Sequence, residues 1–484
     1  MRYKIETNFP EQLPNIEAAL KIIDPQAQVV ADNGDFSLLI DIDASSFGVK
    51  IQLSAPQVSW SFNDQEINDR RYNLEDRKQR LKEIVRLGII NIFKAIFDKN
   101  PPWGILSGVR PTKIYHYLRD KGFSGQEIQE RLLQNYGLSP AKAKLLLEIG
   151  QLQEKFINNQ TISIYVGIPF CPTRCHYCSF PAVSLETHRH LVGNFLKGLE
   201  LEIKATSALC GELGFNIESI YIGGGTPTSL DDDSFAQVLR WITDAFDIRR
   251  LSEFTVEAGR PETVSKAKIE AMVASGVNRI SINPQTMQTA TLRGIGRNHS
   301  IADIYNAVDL VKATNLILNM DLILGLPNET GTMFLDSLQK VIAIDPENIT
   351  VHTLAPKRAA SWHKEFDELN LLQSQELVNA HGIAVDLLQQ HGFIPYYLYR
   401  QRAILGDLEN IGYAKRGTES VYNIQMMEER QTILGLGGGA VTKWVVGPDF
   451  KVSRHQNPKC PATYYQRVSE DIVKKAQLTR ILLS

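Results

Sequence analysis

Cysteine is scarce in this chain, with five in 484 residues. So few thiols over such a length exclude the disulfide framework of a small secreted module. Long apolar runs are missing too. The stretches around Leu87–Phe97 and Leu316–Leu326 are too short and too interrupted to span a bilayer, so no membrane span is expected. Neither sign of charge dominates: 52 Lys and Arg stand against 54 Asp and Glu. That balance argues against broad nucleic-acid binding. No fixed-period repeat, low-complexity tract or block of like charge occurs. No basic segment leading into an apolar one opens the sequence, so a reducing cytoplasm is the expected setting. There, clustered cysteines mean metal or redox chemistry more often than structure.

What is present is an ordinary globular composition, 43% hydrophobic and 22% charged. Its length suggests about three structural units. Residues 1–65 read as a small α+β module, with strands at Phe36–Asp43 and Val49–Leu53 and a helix over Pro10–Ile23. Residues 66–158 carry the wide apolar stripe of helices, broken at Pro101-Pro102-Trp103-Gly104. Short helices with tight turns can resemble a helix-turn-helix reader of DNA, but the near-neutral charge favours a helical accessory scaffold.

From 159 to 360 strand-like and helical runs alternate. The strands are expected at Ile162–Phe170, Ile217–Gly225, Glu253–Gly259, Arg279–Gln285, Leu316–Pro327 and Asn348–Ala355. Six β/α repeats imply a parallel sheet, two short of a full barrel. The fold class is therefore α/β, a partial (β/α)6 barrel, with a doubly wound open sheet as the alternative. Residues 361–484 form a mixed C-terminal region that is expected to cover substrate.

Three of the five cysteines fall within eight residues, in Tyr165-Val-Gly-Ile-Pro-Phe-Cys171-Pro-Thr-Arg-Cys175-His-Tyr-Cys178. They follow the first strand of the β/α series. A loop there can wrap three thiolates around one face of an iron–sulfur cube, leaving one iron open to chelate a ligand. A zinc site that also used His176 is the competing reading. Structural zinc usually pairs two Cys-x-x-Cys knuckles, and this sequence has one. Tyr177 precedes the last cysteine. Gly223-Gly224-Gly225-Thr226 ends the second strand, where missing Cβ atoms let backbone approach a ligand. Glu257, Gln285 and Asp321 sit on or after later strands, and Arg297 follows Gln285 by twelve residues. All would face one mouth. Arg297 suits a carboxylate, and Gln285 and Asp321 suit hydroxyl groups.

This spacing resembles the radical S-adenosylmethionine (SAM) superfamily. Over roughly residues 160–460 the segments are similar to the oxygen-independent coproporphyrinogen III oxidase (dehydrogenase) family, most of all its HemZ type. Trp103–Pro111, Asn410–Lys415 and Tyr422–Glu429 also resemble that type. By the resemblance, Cys171, Cys175 and Cys178 would bind a 4Fe–4S cluster. Tyr165, Tyr177, Gly224, Gly225, Thr226, Glu257, Gln285, Arg297 and Asp321 would contact SAM. The implied activity is that of a radical SAM oxidoreductase. One electron from the cluster cleaves SAM to methionine and a 5′-deoxyadenosyl radical, which takes hydrogen from a propionate β-carbon. Loss of carbon dioxide and an electron leaves a vinyl group, and two such events turn coproporphyrinogen III into protoporphyrinogen IX. No catalytic side chain is implied beyond the cluster and SAM. The partners implied are a tetrapyrrole and an electron donor of unknown identity.

Four substrate propionates would need cations, for which Lys357, Arg358, Arg400, Arg402, Lys415 and Lys443 are candidates. Tyr396, Tyr397, Tyr399 and Trp444 could cover a tetrapyrrole face. His352 is expected to be a hydrogen-bonded, inward-facing residue. The best-known oxidases of the family carry a fourth cysteine two positions past the third. Here that position is Phe180, as in relatives that act as haem chaperones. A haem chaperone, or another tetrapyrrole enzyme such as a haem-opening methyltransferase, is therefore the alternative. Cys210 reads as a buried small apolar residue, and Cys460 has no assigned role.

Overall fold

In a computed structural model, residues 1–24, 26–43, 48–53, 57–63, 71, 73–97, 100–157, 160–364, 366, 369, 371–401 and 403–483 are described. The chain forms two compact units, 1–151 and 152–484.

The first unit opens with five strands: β1 (Arg2–Thr7), β2 (Gln28–Val30), β3 (Phe36–Asp43), β4 (Gly48–Leu53) and β5 (Val58–Asn63). They lie in the order β2-β1-β3-β4-β5. Alternation in β3 buries Leu38, Ile40 and Ile42 on one face and leaves Leu39, Asp41 and Asp43 exposed. The helix Leu74–Phe97 lies on the buried face, with Gly88 under Trp60 and Ile51. Phe93 and Phe97 join Tyr3 and Phe36 in an aromatic cluster. Three further helices follow, and the second begins with a capping box between Ser124 and Glu127.

The second unit carries the alternating series. Its strands are β6 (Thr161–Ile168), β9 (Asn216–Gly224), β10 (Glu253–Glu257), β11 (Arg279–Ser281), β12 (Ile317–Leu324) and β13 (Asn348–Thr353). A two-residue pairing, β7 (Phe170–Cys171) with β8 (Val183–Ser184), closes the loop after β6. The strands are apolar and buried on both faces, as parallel strands under helices must be. Asp231, Ser265, Ser300 and Thr330 cap the intervening helices. All six strands are parallel and adjacent in chain order. With no reversal in that order, right-handed crossovers place their helices on one face. This is the partial barrel expected, not the doubly wound sheet.

The C-terminal region is more than an appendage to this barrel. β14 (Ile394–Tyr399) and β15 (Asn410–Ala414) extend the sheet antiparallel beyond β13. On the other edge β16 (Thr432–Gly437) runs parallel to β6, followed by antiparallel β17 (Val441–Val446) and β18 (Lys451–Gln456). Among the described residues the sheet has eleven strands. The glycine cluster Gly435–Gly439 thus ends a buried strand. Gly437 has positive φ, and an added Cβ would strike the Gly167 carbonyl.

The last helix, Pro461–Leu483, packs on Val192–Glu212 around a buried carboxylate. Glu202 accepts hydrogen bonds from Gly437 N at 2.7 Å, Asn457 Nδ2 at 2.9 Å and Tyr464 OH at 2.6 Å, and it pairs with Lys475. Cys210 is buried with Ile162 and Leu434, as expected. Cys460 is exposed just before the last helix. Among the described residues no helix is long and apolar enough to cross a membrane.

Candidate cluster and SAM site

The turn between β6 and β8 sets the three cysteines at the C-terminal end of the sheet, each partly buried and free of disulfides. Glycines let the β9 end close onto it. Gly225 N donates to Ile168 O at 2.8 Å, and Thr226 N donates to Phe170 O at 2.7 Å. A Cβ on Gly225 would collide with the Phe170 carbonyl, so the close approach requires glycine. Thr226 is buried, and its hydroxyl lies 3.6 Å from Cys171 Sγ.

Two arginines approach the middle cysteine. Arg260 Nη1 is 3.4 Å from Cys175 Sγ. Arg297 is buried and gives both Nη atoms to main-chain carbonyls of Asn283, Pro284 and Gly259. Burial pushes the Cys171 and Cys178 thiols up, Cys171 to about 12. For Cys175 the burial effect is outweighed by the Arg297 and Arg260 guanidiniums, and its thiol falls below the ordinary value. Tyr177 packs against Leu292, Ile295, Leu326 and Leu354 and interacts with Arg297 and Cys175.

Deeper in the sheet, the Tyr165, Tyr221 and Tyr422 rings stack, with centroids 4.5 Å apart for Tyr221 and Tyr422. Tyr221 OH donates to Glu257 Oε2 at 3.4 Å. Burial, and then the charge of Asp321, push the Glu257 carboxyl up to about 8. Hydrogen bonds from Tyr221 and the Gly224 amide and the charge of Arg297 oppose that rise. Gln285 holds a positive φ of 68°, sparsely populated for a non-glycine residue. Its amide donates to Asp321 O at 2.9 Å. Asp321 Oδ2 faces His352 Nε2 at 3.4 Å, and His352 Nδ1 meets Tyr399 OH at 3.1 Å. His352 is thus hydrogen-bonded and inward-facing, as expected.

Cys171, Cys175, Cys178, Tyr177, Thr226 and Arg297 gather around one loop, while Tyr165, Gly224, Glu257, Gln285 and Asp321 line the adjoining strand ends. Their chemistry fits an iron–sulfur cluster and a polar ligand. The donors are three sulfurs. Gln285 Oε1 and Arg297 Nε are both buried without a hydrogen-bond partner, as groups awaiting such a ligand would be. Among the described residues no three His, Cys, Asp or Glu side chains converge as a single ion needs. Thiolates spread over the corners of a four-iron cube need no such convergence.

Several expected substrate contacts have partners within the fold. Arg400 pairs with Asp407, Lys415 with Asp345 at 2.7 Å and Lys443 with Glu429 at 3.1 Å. Trp444 is fully buried and donates to Thr479 Oγ1 at 2.9 Å, and Tyr396 and Tyr397 are core residues. These side chains satisfy the fold rather than a ligand. Tyr399 is partly exposed and Arg358 exposed. Arg402 lies outside the described residues. Lys357 is half-buried near Cys178, and among the described residues it has no ion pair. The residues not anticipated are Arg260, Tyr221 and Tyr422. Arg260 stands three positions past Glu257, and nothing in the sequence marks it as buried.

The family model of the radical SAM superfamily matches residues 165–341. The six parallel strands within the sheet carry the fold of a radical SAM protein. An oxygen-independent coproporphyrinogen-III oxidase-like protein, HemZ of Bacillus subtilis (strain 168), is 37% identical over 396 residues, covering 80% of this chain and 79% of that protein. The chain belongs to this oxidase-like family of radical SAM proteins. The heme chaperone HemW of the same organism is 30% identical over 282 residues, covering 57% of this chain and 70% of HemW. Among solved structures, coproporphyrinogen III oxidase (HemN) from Escherichia coli shares the fold. It has a TM-score of 0.52 and 21% identity, over 67% of this chain and 73% of that one. The cofactors of the family are a 4Fe–4S cluster and SAM.

Proposed function

We propose that this protein oxidatively decarboxylates propionate side chains of coproporphyrinogen III, giving the vinyl groups of protoporphyrinogen IX. The observation that carries this reading is Lys357, a half-buried cation beside the cysteine loop with no ion pair among the described residues. A cation so placed is stabilised by an incoming carboxylate. When bound, the cluster and SAM supply a radical able to take hydrogen from an unactivated carbon.

The chain's own residues bind and orient. Cys171, Cys175 and Cys178 hold the cluster. Arg297 Nε and Gln285 Oε1 offer a donor and an acceptor to SAM. Glu257, its carboxyl raised by burial, can hydrogen-bond to it. The Tyr165, Tyr221 and Tyr422 rings keep water from the strand ends. Lys357 and Arg358 draw a propionate toward the loop. The identity to HemZ across four-fifths of the chain supports the same reading.

A haem chaperone is the second reading. Phe180, two positions past Cys178, is 60% exposed at the place where a fourth cysteine would stand, and relatives named heme chaperone share up to 30% identity. Anaerobic protein with reconstituted cluster, reductant, SAM and coproporphyrinogen III separates the two. Vinyl products together with 5′-deoxyadenosine are expected. Deoxyadenosine without vinyl products would reject this substrate but keep a radical enzyme. Haem transfer without SAM cleavage would establish the chaperone.

A further inference from the structure

Arg260 is 2% exposed, yet its charge is not spent on a single partner. Its Nη1 reaches Cys175 Sγ and the Thr173 carbonyl, both at 3.4 Å. Its Nη2 donates to Thr173 Oγ1 at 3.0 Å. The Thr173 hydroxyl in turn donates to Gly296 O at 3.2 Å. Arg260 also forms an ion pair with Glu262: Nε donates to Oε1 at 2.8 Å, and Nη2 lies 2.7 Å from the same oxygen. The second Glu262 oxygen lies 3.2 Å from Nδ1 of buried His299. Arg260 starts the short 3-10 turn Pro261–Thr263, and Thr263 Oγ1 donates back to its carbonyl at 2.7 Å. The guanidinium is therefore clamped by Thr173 and Glu262 and cannot swing away from the sulfur.

Hydrogen bonds to cluster sulfurs and local charge set reduction potential. A cation held 3.4 Å from a ligand sulfur stabilises the state that has gained an electron. We propose that Arg260, clamped by Thr173 and Glu262, is a positioning residue that makes the cluster easier to reduce by donating an N–H to the Cys175 sulfur. This rests on the reading that the three cysteines hold a 4Fe–4S cluster. It assigns to the turn after β10 a part in the electron's arrival, separate from SAM binding.

The test is a potentiometric titration of the reconstituted protein, without SAM, followed by the electron-spin signal of the reduced cluster. Iron and sulfide are counted first. Arg260→Gln removes the charge. At the wild-type midpoint its ratio of reduced to oxidised cluster should fall about tenfold, a shift of about 59 mV for one electron. Arg260→Lys keeps the charge and loses the fork, so its ratio should fall about threefold. It also decides the matter if the Gln variant takes up no cluster. A midpoint equal to wild type, in either variant that holds the cluster, would overturn the inference. A wild-type protein that takes up no four-iron cluster would instead overturn the reading beneath it.

Discussion

Replacing Glu257 by Gln tests whether the strand ends hold a neutral acid. Burial and the neighbouring Asp321 raise its carboxyl from 4.5 to about 8. Between those values the folded chain keeps a proton that the unfolded chain has released. The stability this group contributes is fully present below pH 4.5 and is lost as pH rises through about 8. The loss is about 1.4 kcal/mol per pH unit, or about 5 kcal/mol across the interval as an order of magnitude. Gln has the shape of the neutral acid and no proton to lose. The charged and titratable groups that face it, Asp321, Arg297, Tyr165, Tyr221 and Tyr422, are the same in both proteins and cancel in the difference. The assay is urea unfolding of cofactor-free protein from about pH 5 to about pH 9. Wild type should lose stability relative to Glu257→Gln by about 1.4 kcal/mol per unit, levelling off above about pH 8. Parallel profiles for the two proteins would refute a carboxyl protonated at neutral pH.

Changing Cys171, Cys175 or Cys178 to Ala should abolish iron–sulfur absorbance, while Cys210→Ala and Cys460→Ala should retain it; cluster retained in any of the first three would sink the ligand set. Lys475→Met leaves the buried Glu202 carboxylate without its cation and should cost about 3–5 kcal/mol in urea unfolding. Gly225→Ala forces the Phe170 carbonyl aside, at a cost of about 1–3 kcal/mol, and should weaken SAM binding in equilibrium dialysis. Lys357→Met should raise KM for coproporphyrinogen III about tenfold, with SAM cleavage itself little changed; an unaltered KM would remove Lys357 from substrate binding.

The cysteine loop and the six parallel strands were legible because their signals are local. The thiols fall within eight residues, and each strand is a short apolar run between helical periods. Gly224 and Glu257 end such strands, Thr226, Gln285 and Arg297 follow them, and Tyr165 and Asp321 lie within them, so their positions were tied to the same local signals. Pairings across long stretches of sequence were not legible. Nothing in Gly435–Gly439 announces that β16 will lie beside β6, some 270 residues earlier in the chain. The partners of Arg400, Lys415 and Lys443 are likewise set by tertiary packing, so an unattached cation and a paired one look alike in sequence. Arg260 escaped notice for the same reason, since its meaning depends on Cys175, 85 residues away.

The placing of β16 has a consequence for how the protein is made. β6 is among the first strands of its unit to leave the ribosome, yet one of its edges has no partner until residue 437 has been synthesised. Until then its amides and carbonyls on that side can be taken by another nascent chain. Glu202 likewise waits for Lys475, 273 residues later. The cysteine loop hangs from this strand, so iron delivered during synthesis would meet a loop whose support is incomplete. A ribosome-bound chain arrested before Thr432 should therefore stay open to protease at β6.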